Sequence, residues 1–226
     1  GVFIYMEVVL AEYCGFCYGV RRAVNLALNT KKEGQDKKIY TLGPIIHNPQ
    51  MVAHLSEQGI GVIDKVEDAL EDITVIIRSH GVGPEIYEKA KEFDIEIVDA
   101  TCPHVKKAQM AANELVERGC QIVILGEAHH PEVQSIFLWT NQQAIIVETI
   151  EDAGRLPYAE KIGVVAQTTF SSKEFDEIVE IVKTKCKNIR IQRTICTATD
   201  KRQKAALDLA QKVDIMIVVG GKNSAN

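Results

Sequence analysis

Three cysteines stand in a nearly fixed relation to three glycines. Cys17 lies 26 residues before Gly43, Cys102 lies 24 before Gly126, and Cys196 lies 24 before Gly220. Each glycine ends an apolar run, and four residues beyond it comes a small polar group: His47, His130 and Ser224. Two more polar clusters close apolar runs, Ser79-His80-Gly81 and Gln167-Thr168-Thr169. Three soft thiolates with no fourth equivalent suit an iron-sulfur cluster whose remaining iron is open to substrate. Neutral donors such as imidazole, hydroxyl and helix N-terminal amides suit a phosphate or diphosphate. Any one of these cysteines taken alone reads as a packing residue. The shared offset argues instead for one centre, with the sulfurs within roughly 6 to 7 Å of one another.

The remaining reactive side chains have weaker positional claims. Cys14-Gly15-Phe16-Cys17 spells CxxC, half of a zinc site or a redox pair. Cys14 has no counterpart in the other copies and reads as a bystander, while Cys120 and Cys186 read as packing residues. Glu132, two residues after His130 at the start of a helical segment, either complements the helix dipole or delivers protons.

These residues need elements to hold them, and the chain supplies a regular alternation. Strands are expected at 8–11, 38–42, 74–78, 96–98, 121–125, 145–147, 162–166, 188–192 and 214–219, with helices between them. Such alternation predicts parallel α/β units with ligands bound beyond the carboxyl ends of the strands. The cysteine spacing and the paired Val66-Glu67-Asp68-Ala69 and Ile150-Glu151-Asp152-Ala153 segments indicate a repeat. Its units run over 18–102 and 103–195, with a partial third unit made of 196–226 and 1–17. A finished third unit would need roughly 55 to 65 further residues. The N-terminal strand is expected to close that unit, joined by 214–219 and 188–192.

Composition narrows the partners. The 226-residue chain is 46% hydrophobic with a formal charge of -5, so it has no broad basic surface for nucleic acid. The apolar start is too short to cross a bilayer and has no basic flank; it reads as a buried strand. Without a secretory signal the expectation is cytoplasmic, with six cysteines kept as thiols or metal ligands.

Eight ordered motifs resemble a known family: Gly15-Phe16-Cys17-Tyr18-Gly19-Val20, Ile46-His47-Asn48, Ser79-His80-Gly81-Val82, Asp99-Ala100-Thr101-Cys102-Pro103, His130-Pro131-Glu132-Val133, Gln167-Thr168-Thr169, Ile195-Cys196 and Lys222-Asn223-Ser224. The chain is similar over essentially its whole length to the 4-hydroxy-3-methylbut-2-enyl diphosphate reductases of the non-mevalonate isoprenoid pathway. The resemblance implies a trefoil of three α/β domains, the third truncated, around a 4Fe-4S cluster held by Cys17, Cys102 and Cys196. It implies an allylic diphosphate substrate held by His47, His80, His130, Ser224 and Asn226. It further implies electrons from ferredoxin or flavodoxin, protons through Glu132, and Thr168 placing both Glu132 and the substrate hydroxyl. The chain departs from the family at Ser224-Ala225-Asn226, where a second serine is common, and one hydroxyl donor is lost.

Two other functions fit the residues. An iron-sulfur dehydratase would use the open iron as a Lewis acid and need no reductant. A non-catalytic cluster- or diphosphate-binding module would fit a chain whose third domain is incomplete.

Overall fold

Apolar runs bounded by glycine form strands here, and the stretches of helical period between them form helices. A computed structural model describes residues 6–34, 37–69 and 72–221. The first unit contains α1 (Tyr18–Glu33), β1 (Lys38–Leu42), α2 (Pro49–Glu57), β2 (Ile60–Ile63), β3 (Ile73–Ile77), α3 (Pro84–Glu92) and β4 (Glu96–Asp99). The second contains α4 (Pro103–Glu117), β5 (Gln121–Leu125), α5 (Pro131–Leu138), β6 (Ile145–Val147), α6 (Ile150–Gly154), β7 (Ala159–Ala166), α7 (Ser172–Lys183) and β8 (Cys186–Ile191). Then comes α8 (Thr197–Ala210).

The two sheets repeat one topology. Their strand orders are β2-β1-β3-β4 and β6-β5-β7-β8, and every pairing is parallel. In this order the chain reverses direction across the sheet between β1 and β3, and again between β5 and β7. Those are the switch points where ligand crevices form in open parallel sheets. β3 is buried at every position, as expected for a central strand covered on both faces.

Alternation along the strands decides which helix covers which face. Ile39 and Ile76 pack with Ala23, Val24 and Ala27 of α1 and Leu55 of α2, while Val75 and Ile77 turn toward Ile86 and Tyr87 of α3. The second unit copies this: Ile122, Ile124 and Val165 face α4 and α5, and Val123, Leu125 and Val164 face Phe175, Ile178 and Val182 of α7.

Both expected terminal strands are corrected. Residues 8–11 and 214–219 are irregular and exposed, with Val8 79% and Val218 84% accessible. A parallel strand persists only when a neighbour takes up its N–H and C=O groups, and among the described residues none does. The run expected at 188–192 does not join them, because β8 pairs with β7 and completes the second sheet. β2 had no residue range in the sequence expectation, since its four residues include Gly61 and alternate too briefly to stand out. Its counterpart, β6, was the available signal. Among the described residues, α8 is the one regular element of the expected third unit.

Phe175 is 2% exposed and anchors the α7 face of the second sheet. Phe175→Ala should lower unfolding free energy by about 3 to 5 kcal/mol, measured by denaturant titration, whereas Tyr158→Ala on the surface should change it by less than about 0.5 kcal/mol.

Candidate functional site

The loops leaving β1, β3 and β5 bring three histidines together. Gly43 adopts φ +68°, turning the chain out of β1 toward His47, and Asn48 caps α2 by accepting the Met51 N–H at 2.9 Å. The His80 loop is fixed by Ser79 N–H donating to the Ile45 carbonyl at 3.1 Å, which clasps the β1 and β3 loops together. His130 caps α5, its Nδ1 accepting the Glu132 N–H at 3.2 Å. The His47 and His80 ring centroids are 4.4 Å apart, and those of His130 are 5.6 and 5.4 Å from them.

Electrostatics keeps this cluster neutral. Burial pushes all three imidazoles below their ordinary value, with Arg78 adding to the effect at each and neighbouring rings at His80 and His130, and His130 falls to about 4. His47 Nε2, His80 Nδ1 and Arg78 Nε are buried without a partner among the described residues. Orphaned polar atoms converging on one place call for a ligand. One nitrogen from each ring, the three lying within 4.8 Å of one another, could also ligate a metal ion. A guanidinium beside them repels a divalent cation and favours an anion.

Glu132 is 3% exposed, and both its oxygens are held by one residue. Thr168 N–H donates to Oε1 at 2.6 Å and Thr168 Oγ1 to Oε2 at 2.9 Å. Burial raises its pKa to about 7 against the opposing pull of these two donors. A carboxyl with that value can hold or release a proton near neutrality. Thr168 also accepts the Cys196 N–H at 2.8 Å through its carbonyl, so the carboxyl and that cysteine share one support.

Cys17, Cys102 and Cys196 each occupy the cap position of a helix, α1, α4 and α8 respectively. Asp99 shapes the turn before Cys102 by accepting the Thr101 N–H at 2.9 Å, and Cys102 N–H donates to the Ser79 carbonyl at 2.9 Å. A Cβ at Gly19 would stand 2.5 Å from the Cys102 sulfur and 4.0 Å from that of Cys17. The two sulfurs are therefore no farther apart than those distances combined. Burial raises the Cys102 thiol, and the nearby Cys17 and Cys196 raise it further.

A buried tie joins the two sheets behind the histidines. Gln109 of α4 donates through Nε2 to the Val82 carbonyl at 3.3 Å and to Ser135 Oγ at 3.2 Å. Ser135 Oγ in turn lies 2.9 Å from the His80 carbonyl and 2.8 Å from that of Glu132. Trp139 Nε1 donates to the Val82 carbonyl at 2.9 Å. The His80 loop is thus fastened to the helix that carries His130 and Glu132.

Of the residues expected from sequence, His47, His80 and His130 meet, Glu132 bonds Thr168, and Cys102 lies near Cys17 and Cys196. Ser224 and Asn226 lie outside the described residues. The segment leading toward them passes His47, since a Cβ at Gly221 would stand 3.1 Å from the His47 carbonyl oxygen. Cys14, His54, His104 and His129 are exposed. Sequence reasoning missed Arg78 and the Gln109–Ser135 tie. The signal for Arg78 was a lone cation directly after Ile73-Thr74-Val75-Ile76-Ile77; the tie left no signal.

Comparison with known proteins places the chain in a clear neighbourhood. Residues 8–226 match the family described as LytB protein. The 4-hydroxy-3-methylbut-2-enyl diphosphate reductase of Caldanaerobacter subterraneus subsp. tengcongensis is 45% identical over 223 residues, covering 98% of this chain and 77% of the relative. The reductase of the same name from Geobacter metallireducens is 48% identical over 222 residues, with coverage of 98% and 77%. A solved structure of (E)-4-hydroxy-3-methyl-but-2-enyl diphosphate reductase, titled the terminal enzyme of the non-mevalonate pathway, matches with a TM-score of 0.79 at 43% identity, over 96% of this chain and 78% of that one. The E-1-hydroxy-2-methyl-but-2-enyl-4-diphosphate reductase from Plasmodium falciparum gives 0.84 at 30% identity, over 93% and 67%.

The Glu132 environment fixes the sign of a pH effect. Because the fold raises this pKa from 4.5 to about 7, its contribution to stability is fully present below pH 4.5 and lost as pH rises through 7. Glu132→Gln, neutral throughout, should be more stable than the parent at pH 8 by up to roughly 3 kcal/mol, with the gap closing toward pH 4. Denaturant midpoints across that range measure it, and a gap independent of pH would show that the carboxyl is not desolvated.

Proposed function

The chain belongs to the LytB family, and from that premise we propose that it converts 4-hydroxy-3-methylbut-2-enyl diphosphate to isopentenyl and dimethylallyl diphosphate by reductive dehydroxylation at a 4Fe-4S cluster. The observation that carries this reading is the convergence, beyond the carboxyl ends of two parallel sheets, of three neutral imidazoles and a buried carboxyl on loops tied to cysteines. The relatives compared are named reductases, which favours net reduction over dehydration. Within this reading the units divide at 102/103 and 195/196, each sheet being completed by the strand that runs to the next cysteine.

The donor set fits the cluster. Cys17, Cys102 and Cys196 are free, soft donors at helix N-termini, with the Cys17 and Cys102 sulfurs both close to Gly19 and Cys196 close enough to perturb Cys102. When bound, the cluster would supply the two electrons, drawn from ferredoxin or flavodoxin, and an open iron for the allylic hydroxyl. The protein's own groups do the rest. His47, His80 and His130 donate hydrogen bonds to the diphosphate, joined by Ser224 and Asn226. Glu132 delivers protons, and Thr168 orients both its carboxyl and the substrate hydroxyl. Two electrons and two protons cleave the C–O bond, release water and leave a C–H bond at either end of the allyl unit. Among the described residues no helix is long and apolar enough to cross a membrane. The six free cysteines suit a reducing, cytoplasmic setting.

Anaerobic reconstitution with iron and sulfide, followed by metal analysis and absorption spectroscopy, tests the cluster. Binding near one cluster per chain is expected, with Cys102→Ser losing it; equal iron in both proteins would remove these cysteines from the role. Turnover is then followed with a dithionite-reduced mediator. Glu132→Gln should slow it by roughly 100-fold or more at full cluster content, and His130→Ala should chiefly raise the substrate concentration required. Conversion without any reductant would instead identify a dehydratase.

A further inference from the structure

We propose that Arg78 carries the fixed positive charge of the diphosphate site, an anion-binding role that rests on the function proposed above and adds to the histidine donors assigned there. Arg78 follows the last residue of β3 at the switch point of the first sheet, two positions before His80, and its carbonyl accepts the Gly81 N–H at 3.0 Å. Its side chain extends over the neighbouring loop: a Cβ added at Gly43 would stand 2.7 Å from Nη1 and 3.6 Å from Cζ. The guanidinium therefore fills space that glycine leaves open, on the loop that delivers His47. The Ser79–Ile45 hydrogen bond holds the two loops in that relation.

Arg78 is also a cation without an anion. Its Nε is buried and unpartnered, and no carboxylate among the described residues forms an ion pair with it. Arg118, Arg155 and Arg193 each pair with an acid, and Arg22 reaches the Thr101 carbonyl. Desolvating a guanidinium with nothing to balance it is unfavourable, which makes sense if a ligand supplies the missing charge. The histidines add no positive charge of their own for such an anion, because burial and Arg78 itself keep them neutral. In a chain of net charge -5 a polyanion needs such a local cation. The planar fork of arginine can meet two phosphate oxygens at once, which lysine cannot.

Inorganic diphosphate is the probe. Its affinity for this chain is measured by calorimetry and by thermal shift for the parent, Arg78→Gln and Arg78→Lys. Diphosphate should bind and stabilise the parent, with affinity falling roughly 10- to 100-fold in Arg78→Gln and less in Arg78→Lys. Without ligand, Arg78→Gln should melt at or above the parent temperature, because an unbalanced, partly buried charge is gone; a merely structural arginine would do the opposite. Equal affinity in the parent and Arg78→Gln, or an affinity loss that tracks a lowered ligand-free melting temperature, would overturn the assignment to Arg78. No diphosphate effect on the parent would overturn the diphosphate site itself.

Discussion

Thr168 holds three things through three atoms, and much of the candidate site depends on that arrangement. Its N–H and hydroxyl grip the two oxygens of Glu132, and its carbonyl takes the N–H of Cys196. A carboxylate in so dry a place survives only with close donors. Two are enough to keep the pKa near neutrality without driving it down to the ordinary carboxylate range. The same residue bonds the N-terminal end of the helix that Cys196 caps, so the acid and that cysteine share one support.

The histidine cluster follows a different logic from the acid. Its members are held by loop turns and by contact with one another, and their common desolvation suppresses positive charge. Neutral imidazoles give hydrogen bonds without repelling each other, which like-charged rings at these separations would do. The glycines make this possible: Gly43 leaves room for the Arg78 side chain, and Gly81 at φ +72° lies where a Cβ would strike Gln109.

Two parallel sheets built on one plan do not by themselves define a site between them. The Gln109–Ser135–Trp139 tie does, because it fastens the His80-Gly81-Val82 segment of the first sheet to α5 of the second. Ser135 sits within hydrogen-bond distance of the carbonyls of His80 and Glu132, so a single hydroxyl spaces the first sheet's histidine loop from the buried carboxyl. Gln109 is wholly buried, and removing its amide would leave the Val82 carbonyl with Trp139 as its one side-chain donor among the described residues.

Spacing and residue type alone determined the α/β class, the repeat, and which side of the sheets the polar residues occupy. In parallel strands the chain always leaves at the carboxyl end, so His47, His80, His130 and Thr168, each following an apolar run, had to emerge on one side. The three cysteines were visible through their shared offset from the glycines. Only the tertiary structure decided that residues 8–11 and 214–219 form no strand, since pairing depends on a neighbour that local sequence does not report. Only it decided that Glu132 points inward to Thr168 rather than outward at a helix start, that Arg78 lies over Gly43, and that Gln109 reaches across to Ser135. Those outcomes depend on burial and on contacts between residues far apart in the chain. Sequence periodicity fixes the face on which a side chain begins and leaves open what it will meet there.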